Sequence, residues 1–141
     1  MSTPRRSGGV PHALDRRLLW PLVCPKGHER GALLLWRGGV VVGIFPVPSE
    51  KPDPDRYDPV PGALARARAW ARERGLVVGS WIHSHPSLYH ARGPSEFDLE
   101  QVRRLKRPTI RAVYLVPERA VVWYGQGGVL ARDPLPYQPG A

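Results

Sequence analysis

The sequence predicts a single α/β domain, and three observations carry that prediction. Its 141 residues, 42% apolar and 23% charged, suffice for one globular core. Apolar segments of strand length alternate with turn signals from Gly31 to Leu130. Two stretches with helical spacing interrupt them, giving the order ββαβαββ and hence a two-layer or three-layer packing of helices on a sheet. A chain of this length excludes a two-domain enzyme and a (β/α)8 barrel.

Each element has a local reason. Residues 1–10 and 133–141 are rich in Pro, Gly and polar side chains and read as poorly ordered tails, leaving a domain over residues 11–132. Residues 12–20 read as a short helix ended by Pro21. Residues 31–36 and 40–47, joined by Arg37-Gly38-Gly39, read as a hairpin of two buried strands. Residues 48–61 hold five prolines and three aspartates and form a loop. Residues 62–74 predict a helix with Leu64, Ala67, Trp70 and Ala71 on one face and Gly75 as its stop. Residues 76–83 predict a central strand, apolar on both faces, and 85–94 a loop. Residues 95–107 predict a second helix, with Leu99, Val102 and Leu105 inward and Pro108 closing it. Residues 110–116 and 120–124 read as strands, and 127–130 as a last short one.

Charge points to a partner class and to no chemistry. The chain carries 21 Lys+Arg against 12 Asp+Glu, a formal charge of +9, but only Lys26, Lys51 and Lys106 are lysines. The basic residues are dispersed, and those at 66–74 and 103–107 fall on the expected helices, where a charge run is usually a solvated face. Cys24 is the lone cysteine, which excludes an internal disulfide and a cysteine-based zinc site. No apolar run approaches the ~20 residues of a membrane span, and no signal-peptide pattern follows Arg5 and Arg6. The expected location is the cytoplasm.

The segment that carries chemistry is residues 79–98, GSWIHSHPSLYHARGPSEFD. His83 and His85, two apart at a strand end, project from one face, where two imidazoles can bind one metal ion. Pro86 ends the strand at once. Asp98 falls in the first turn of the next helix, where a short carboxylate is rigidly placed. Two histidines and one aspartate leave a fourth position open, as a catalytic zinc requires. Ser95-Glu96-Phe97-Asp98 is equally a Ser-x-x-Asp helix start, with Ser95 as N-cap and Asp98 as its capping partner.

Other His-x-His metal families fail on their own patterns. Metallo-β-lactamases continue to an Asp-His pair, whereas Pro86-Ser87 follow here. Amidohydrolase barrels need roughly 250 residues. Zincins need a helical His-Glu-x-x-His, and nucleoside deaminases a Pro-Cys-x-x-Cys that one cysteine cannot supply.

Glu29, His83-Ser84-His85-Pro86 and Ser95-Glu96-Phe97-Asp98 together resemble the JAMM (MPN+, JAB domain) zinc metalloproteases, in a minimal prokaryotic-type form. The likeness extends from about Pro25 to Tyr124: HERGALLLW is similar to the family's opening strand, and YDPVPGALARARAWARERG to its lead into the histidine strand. It implies a single MPN (cytidine-deaminase-like) domain, a mixed β-sheet flanked by helices. His83, His85 and Asp98 would then hold Zn²⁺ with water in the fourth position. Glu29 would act as general base and then acid, with Glu50 in reserve. The Ser95 hydroxyl would steady the oxyanion. Ser84, on the opposite strand face, is structural, and Trp81, on the face of His83, is expected to pack in the core and could lie beneath the site. His12 and His28 have no assigned task. His90, in the loop between the ligands, could line the cleft, and three ligands suffice without it.

Two functions from different classes follow. The first is peptide or isopeptide hydrolysis at the C-terminal tail of a ubiquitin-like or sulfur-carrier protein, an acidic one suiting the basic surface. The second is a non-catalytic MPN-like scaffold or a basic nucleic-acid-binding module. The nucleic-acid reading rests on charge alone, without an aromatic-basic motif or a helix-turn-helix.

Overall fold

The computed structural model describes residues 10–87 and 93–132. The expected tails, Val10 apart, and His90 lie outside the described residues. Seven strands form one sheet: β1 (Ala13–Leu14), β2 (Gly31–Arg37), β3 (Val40–Val47), β4 (Val77–His85), β5 (Arg111–Leu115), β6 (Ala120–Gly125) and β7 (Gly128–Arg132). Their spatial order is β1-β3-β2-β4-β5-β6-β7. The sheet is mixed, since β1 runs parallel to β3 and β4 parallel to β5, while the other pairs are antiparallel. Helix α1 (Ala63–Arg72) precedes β4, and α2 (Glu96–Arg103) follows it.

The β2–β3 hairpin turns on Gly38 and Gly39, both at positive φ, between the paired residues Arg37 and Val40. Two consecutive left-handed residues make the turn whose twist matches paired strands, and glycine takes that conformation without strain.

Alternation along the strands sends side chains to two different cores. Leu34, Trp36, Ile82, Ala112, Tyr114 and Trp123 pack on one face beneath Leu19 and Leu22. On the other face, Leu33, Val47 and Trp81 meet Ala63 and Ala67 of α1, and Val113, Leu115 and Val122 meet Val102 of α2. Both α-helices therefore cover the same side of the sheet, and both histidines point to that side as well.

A single irregularity aligns them. Leu34 pairs with Gly79 and Leu33 with Trp81, so Ser80 is an extra residue with no partner on β2. Its φ is 59°, a left-handed conformation uncommon outside glycine. This bulge resets the alternation, so that Trp81, His83 and His85 share a face with Val78.

The elements differ from expectation at several points. The helix expected over residues 12–20 is instead β1 followed by a 3-10 helix over Arg16–Leu22. Asp15 is extended and accepts a hydrogen bond from the Arg17 amide at 2.9 Å, which starts the helix four residues later. Pro21 lies inside that helix instead of ending it, because the proline φ suits a 3-10 turn. On α1 the buried residues are Ala63, Ala67 and Ala71, while Leu64 and Trp70 are more than a third exposed. Trp70 lies over the face edge, against Phe45 at 5.9 Å and beneath the Arg74 guanidinium at 3.8 Å. Helix α2 stops at Arg103, and Leu105 is exposed rather than inward. Strand β4 runs on to His85, so both histidines belong to the strand itself. Among the described residues no helix is long and apolar enough to cross a membrane.

Candidate metal centre

Four side chains converge where β2 begins, β4 ends and α2 begins. His83 and His85 are buried, their rings 5.1 Å apart. Ser84 between them is fully buried on the opposite face. Its hydroxyl accepts a hydrogen bond from the Arg30 amide at 2.9 Å, and its own amide donates to the Arg30 carbonyl at 2.8 Å. These two bonds carry the β2–β4 pairing past Gly31, which lies opposite His83, and so bring Glu29 beside His85. Glu29 is 5% exposed, and its Oε2 lies 3.8 Å from His85 Nε2.

Asp98 reaches the same point from α2. Ser95 and Asp98 form a capping box: the Asp98 amide donates to Ser95 Oγ at 3.1 Å, and the Ser95 amide donates to Asp98 Oδ2 at 2.9 Å. The carboxylate so fixed spans both histidines, Oδ1 lying 3.2 Å from His83 Nε2 and Oδ2 3.2 Å from His85 Nε2.

The donor set fits a metal ion. Glu29, His83 and His85 each offer a ligand atom, and these atoms lie within 4.8 Å of one another. His83 Nε2 is buried and makes no well-directed hydrogen bond despite its nearness to Asp98. A buried ring nitrogen aimed at a carboxylate without sharing a proton is satisfied by a cation placed between them.

Electrostatics separate the two carboxyls. Burial first, then the negative charges of Asp98, Asp55, Asp53 and Asp58, push Glu29 up to about 8. Burial also pushes Asp98 upward, but the imidazoles of His83 and His85 beside it and the Ser95 amide overcome it and hold that carboxyl well below the usual range. Burial raises the phenols of Tyr57 and Tyr124.

Tyr57 forms a wall of the site that the sequence did not single out. Its ring lies parallel to His83 with centroids 6.3 Å apart, and its hydroxyl donates to the Val47 carbonyl at 2.7 Å. A side chain at Gly31 would occupy the space of the Tyr57 ring, which explains a glycine in the middle of paired strands. Trp81 packs 6.3 Å from Tyr57, in the expected place beneath the site.

The centre opens into a cleft of about 380 Å³ lined by Glu29, His83, Asp98, Tyr57, Arg111 and Tyr124, among others. A second hollow, about 810 Å³, lies beyond Glu29 and includes Trp20, Cys24, His28 and Val47. The structure thus brings Glu29, His83, His85, Asp98 and Ser95 together. Glu50 is exposed and does not line the cleft, and exposed His12 lies by the Gly38–Gly39 turn instead. Arg111 and Tyr57 escaped sequence reasoning. The only signal for Arg111 is its even spacing from Val113, which has meaning once β5 is known to lie beside β4.

Comparison with known proteins bears on the fold and the family. A search of curated protein sequences found no match. Among solved structures, a solution structure of a protein from Desulfitobacterium hafniense aligns with a TM-score of 0.63 at 19% identity, covering 79% of this chain and 80% of that one. A crystal structure of a JAB1/MPN domain protein from Archaeoglobus fulgidus aligns with a TM-score of 0.49 at 21% identity, covering 93% of this chain and 100% of the other. The first of these shows the fold. Residues 16–131 match the family described as prokaryotic homologs of the JAB domain, and this chain therefore belongs to that family.

Proposed function

We propose that the protein is a zinc-dependent metallopeptidase that hydrolyses peptide or isopeptide bonds at the C-terminal tail of a ubiquitin-like or sulfur-carrier protein. The observation that carries this reading is the convergence of Glu29, His83, His85 and Asp98 at one point, with Glu29, His83 and Asp98 lining the cleft. Zinc bound there supplies a Lewis acid that makes water nucleophilic at neutral pH. His83, His85 and Asp98 hold the ion. With the charge of the ion favouring its ionised form, Glu29, buried and without a hydrogen-bond donor among the described residues, takes the water proton on a carboxylate oxygen and returns it to the leaving nitrogen. One C–O bond forms, one C–N bond breaks, and the products are a carboxylic acid and an amine.

Ser95 serves two ends. Its oxygen accepts the Asp98 amide, which leaves the hydroxyl proton free to donate to the substrate carbonyl oxygen as negative charge develops there. The net positive charge of the chain suits an acidic carrier.

The test is a digest of a panel of small β-grasp fusions with and without chelator, alongside zinc analysis of the purified protein. Chelator-sensitive cleavage with one zinc per chain supports the proposal. A zinc-free protein that cleaves nothing and retains DNA on a salt-dependent column overturns it in favour of a non-catalytic, nucleic-acid-binding module.

A further inference from the structure

Arg111 is a cleft residue to which the hydrolytic chemistry gives no task. It lies on β5, where Val113 pairs with His83. Arg111 is two residues from Val113, so its side chain shares the face of the histidines and stands about 7 Å further along the cleft. It lines that cleft with Glu29, His83 and Asp98. The residue is half-buried, and its guanidinium Nε is buried without a hydrogen-bond partner.

Of the four carboxylates that line the cleft, three face other partners, and no ion pair joins the fourth, Asp55, to Arg111 among the described residues. Asp98 faces the two histidines and Glu29 faces His85. Asp58 is paired with Arg56 at 3.1 Å, and the Arg56 guanidinium also covers the Phe97 ring at 4.7 Å. A guanidinium taken partly out of water and left short of a partner is unfavourable unless an anion arrives to complete it. The fork of donors on arginine matches a carboxylate and can bind it through two parallel hydrogen bonds.

Spacing decides which carboxylate. One substrate residue spans at most ~3.6 Å, so only one or two residues fit between a bond held at the histidines and a carboxylate held at Arg111. We infer that Arg111 receives the free α-carboxylate on the leaving side of the scissile bond and so sets a preference for a free acid over an amide at that end of the cleft. The cleavage step rests on the peptidase reading above, whereas the carboxylate site does not.

Two measurements test this. In the first, zinc-loaded protein is given a carrier-tail peptide with a free C-terminal carboxylate and the same peptide amidated. The acid is expected to be cleaved with at least tenfold higher kcat/KM. Arg111→Met brings the ratio close to one at wild-type zinc content and melting temperature. Arg111→Lys, which keeps the charge without the fork, gives an intermediate ratio. Equal cleavage of acid and amide by the wild-type protein, or a ratio untouched in Arg111→Met, overturns the inference. In the second, metal-free protein is titrated with acetyl-glycyl-glycine and with its amide while the Arg111 Nε–H resonance is followed by NMR. The acid at millimolar concentration shifts that resonance and the amide does not; identical responses to the two overturn the inference. If neither peptide is cleaved yet the acid-specific shift is present, the peptidase reading falls and the assignment of Arg111 stands.

Discussion

Glu29 enters the centre from the residues leading into β2, whereas Asp98 enters from the first turn of α2, and the two are held by different kinds of structure. The sheet half is positioned by backbone pairing: Ser84 fixes Arg30 and thereby the residue before it, and among the described residues no donor satisfies the Glu29 carboxylate. The helix half is positioned by its own carboxylate, which accepts the Ser95 amide and faces two imidazoles. The comparison teaches that placement and protonation are set separately here. One carboxyl is kept poor in partners and holds a proton tightly, and the other faces two imidazoles and an amide and stays charged. Two titratable groups pushed in opposite directions are the pattern by which acid–base and ligand roles divide in an active site.

The sharpest way to break the comparison is to remove the helix half. Asp98→Asn and His83→Ala are each expected to abolish stoichiometric zinc, as measured by elemental analysis after dialysis. Full occupancy in either variant would remove that residue from the ligand set. Removing the sheet half should act differently. Glu29→Gln is expected to keep zinc and to lose about 10²- to 10⁴-fold in hydrolysis, the span of general acid–base catalysis. Glu29 lies close enough to the histidines to be a ligand itself, so loss of zinc from this variant would reassign it.

The third prediction uses pH on the metal-free protein. The unfolded chain ionises Glu29 near 4.5, whereas the folded state keeps it protonated up to about 8. Below 4.5 both states are protonated and the group carries no penalty; between 4.5 and about 8 the unfolded state sheds its proton first, so stability falls as pH rises. Urea unfolding in chelator at pH 5 and pH 8 should show a loss on the order of a few kcal/mol. The Glu29→Gln variant should flatten that slope, and an equal slope in the variant would place its origin elsewhere. The smallest effect is expected from Ser95→Ala. It removes half of the capping box for about 1 kcal/mol of stability and lets Asp98 wander, read as weaker zinc binding in competition with a chelator.

What could be read from the chain follows from how local each cause is. The two histidines and the capping box are short-range patterns, and their alternation and helix-start chemistry placed them on a strand end and a first helical turn. The link to Glu29 depends on pairing across 54 residues between Arg30 and Ser84, and it was reached through resemblance instead of spacing. Tyr57 sits in a proline-rich loop whose path is decided by the space above Gly31, which no local pattern announces. The segment at 12–20 was misread because Asp15 and Pro21 act as start and interior of a 3-10 helix, while their residue types also suit the edges of an α-helix. On α1 the small alanines face the sheet and Trp70 caps the margin, because the helix approaches too closely for large side chains.

The unpaired Ser80 in β4 makes the whole centre a matter of parity. Were β4 to run on regularly through Ser80, with its first half still pinned to β2 and no bulge to absorb the extra residue, His83 and His85 would turn through the sheet. They would then lie among Leu19, Leu22 and Trp123, sealed from solvent and from both carboxylates. Losing that bulge while keeping Ser80 would thus leave every functional side chain in the chain and still erase the site more completely than any single substitution within it.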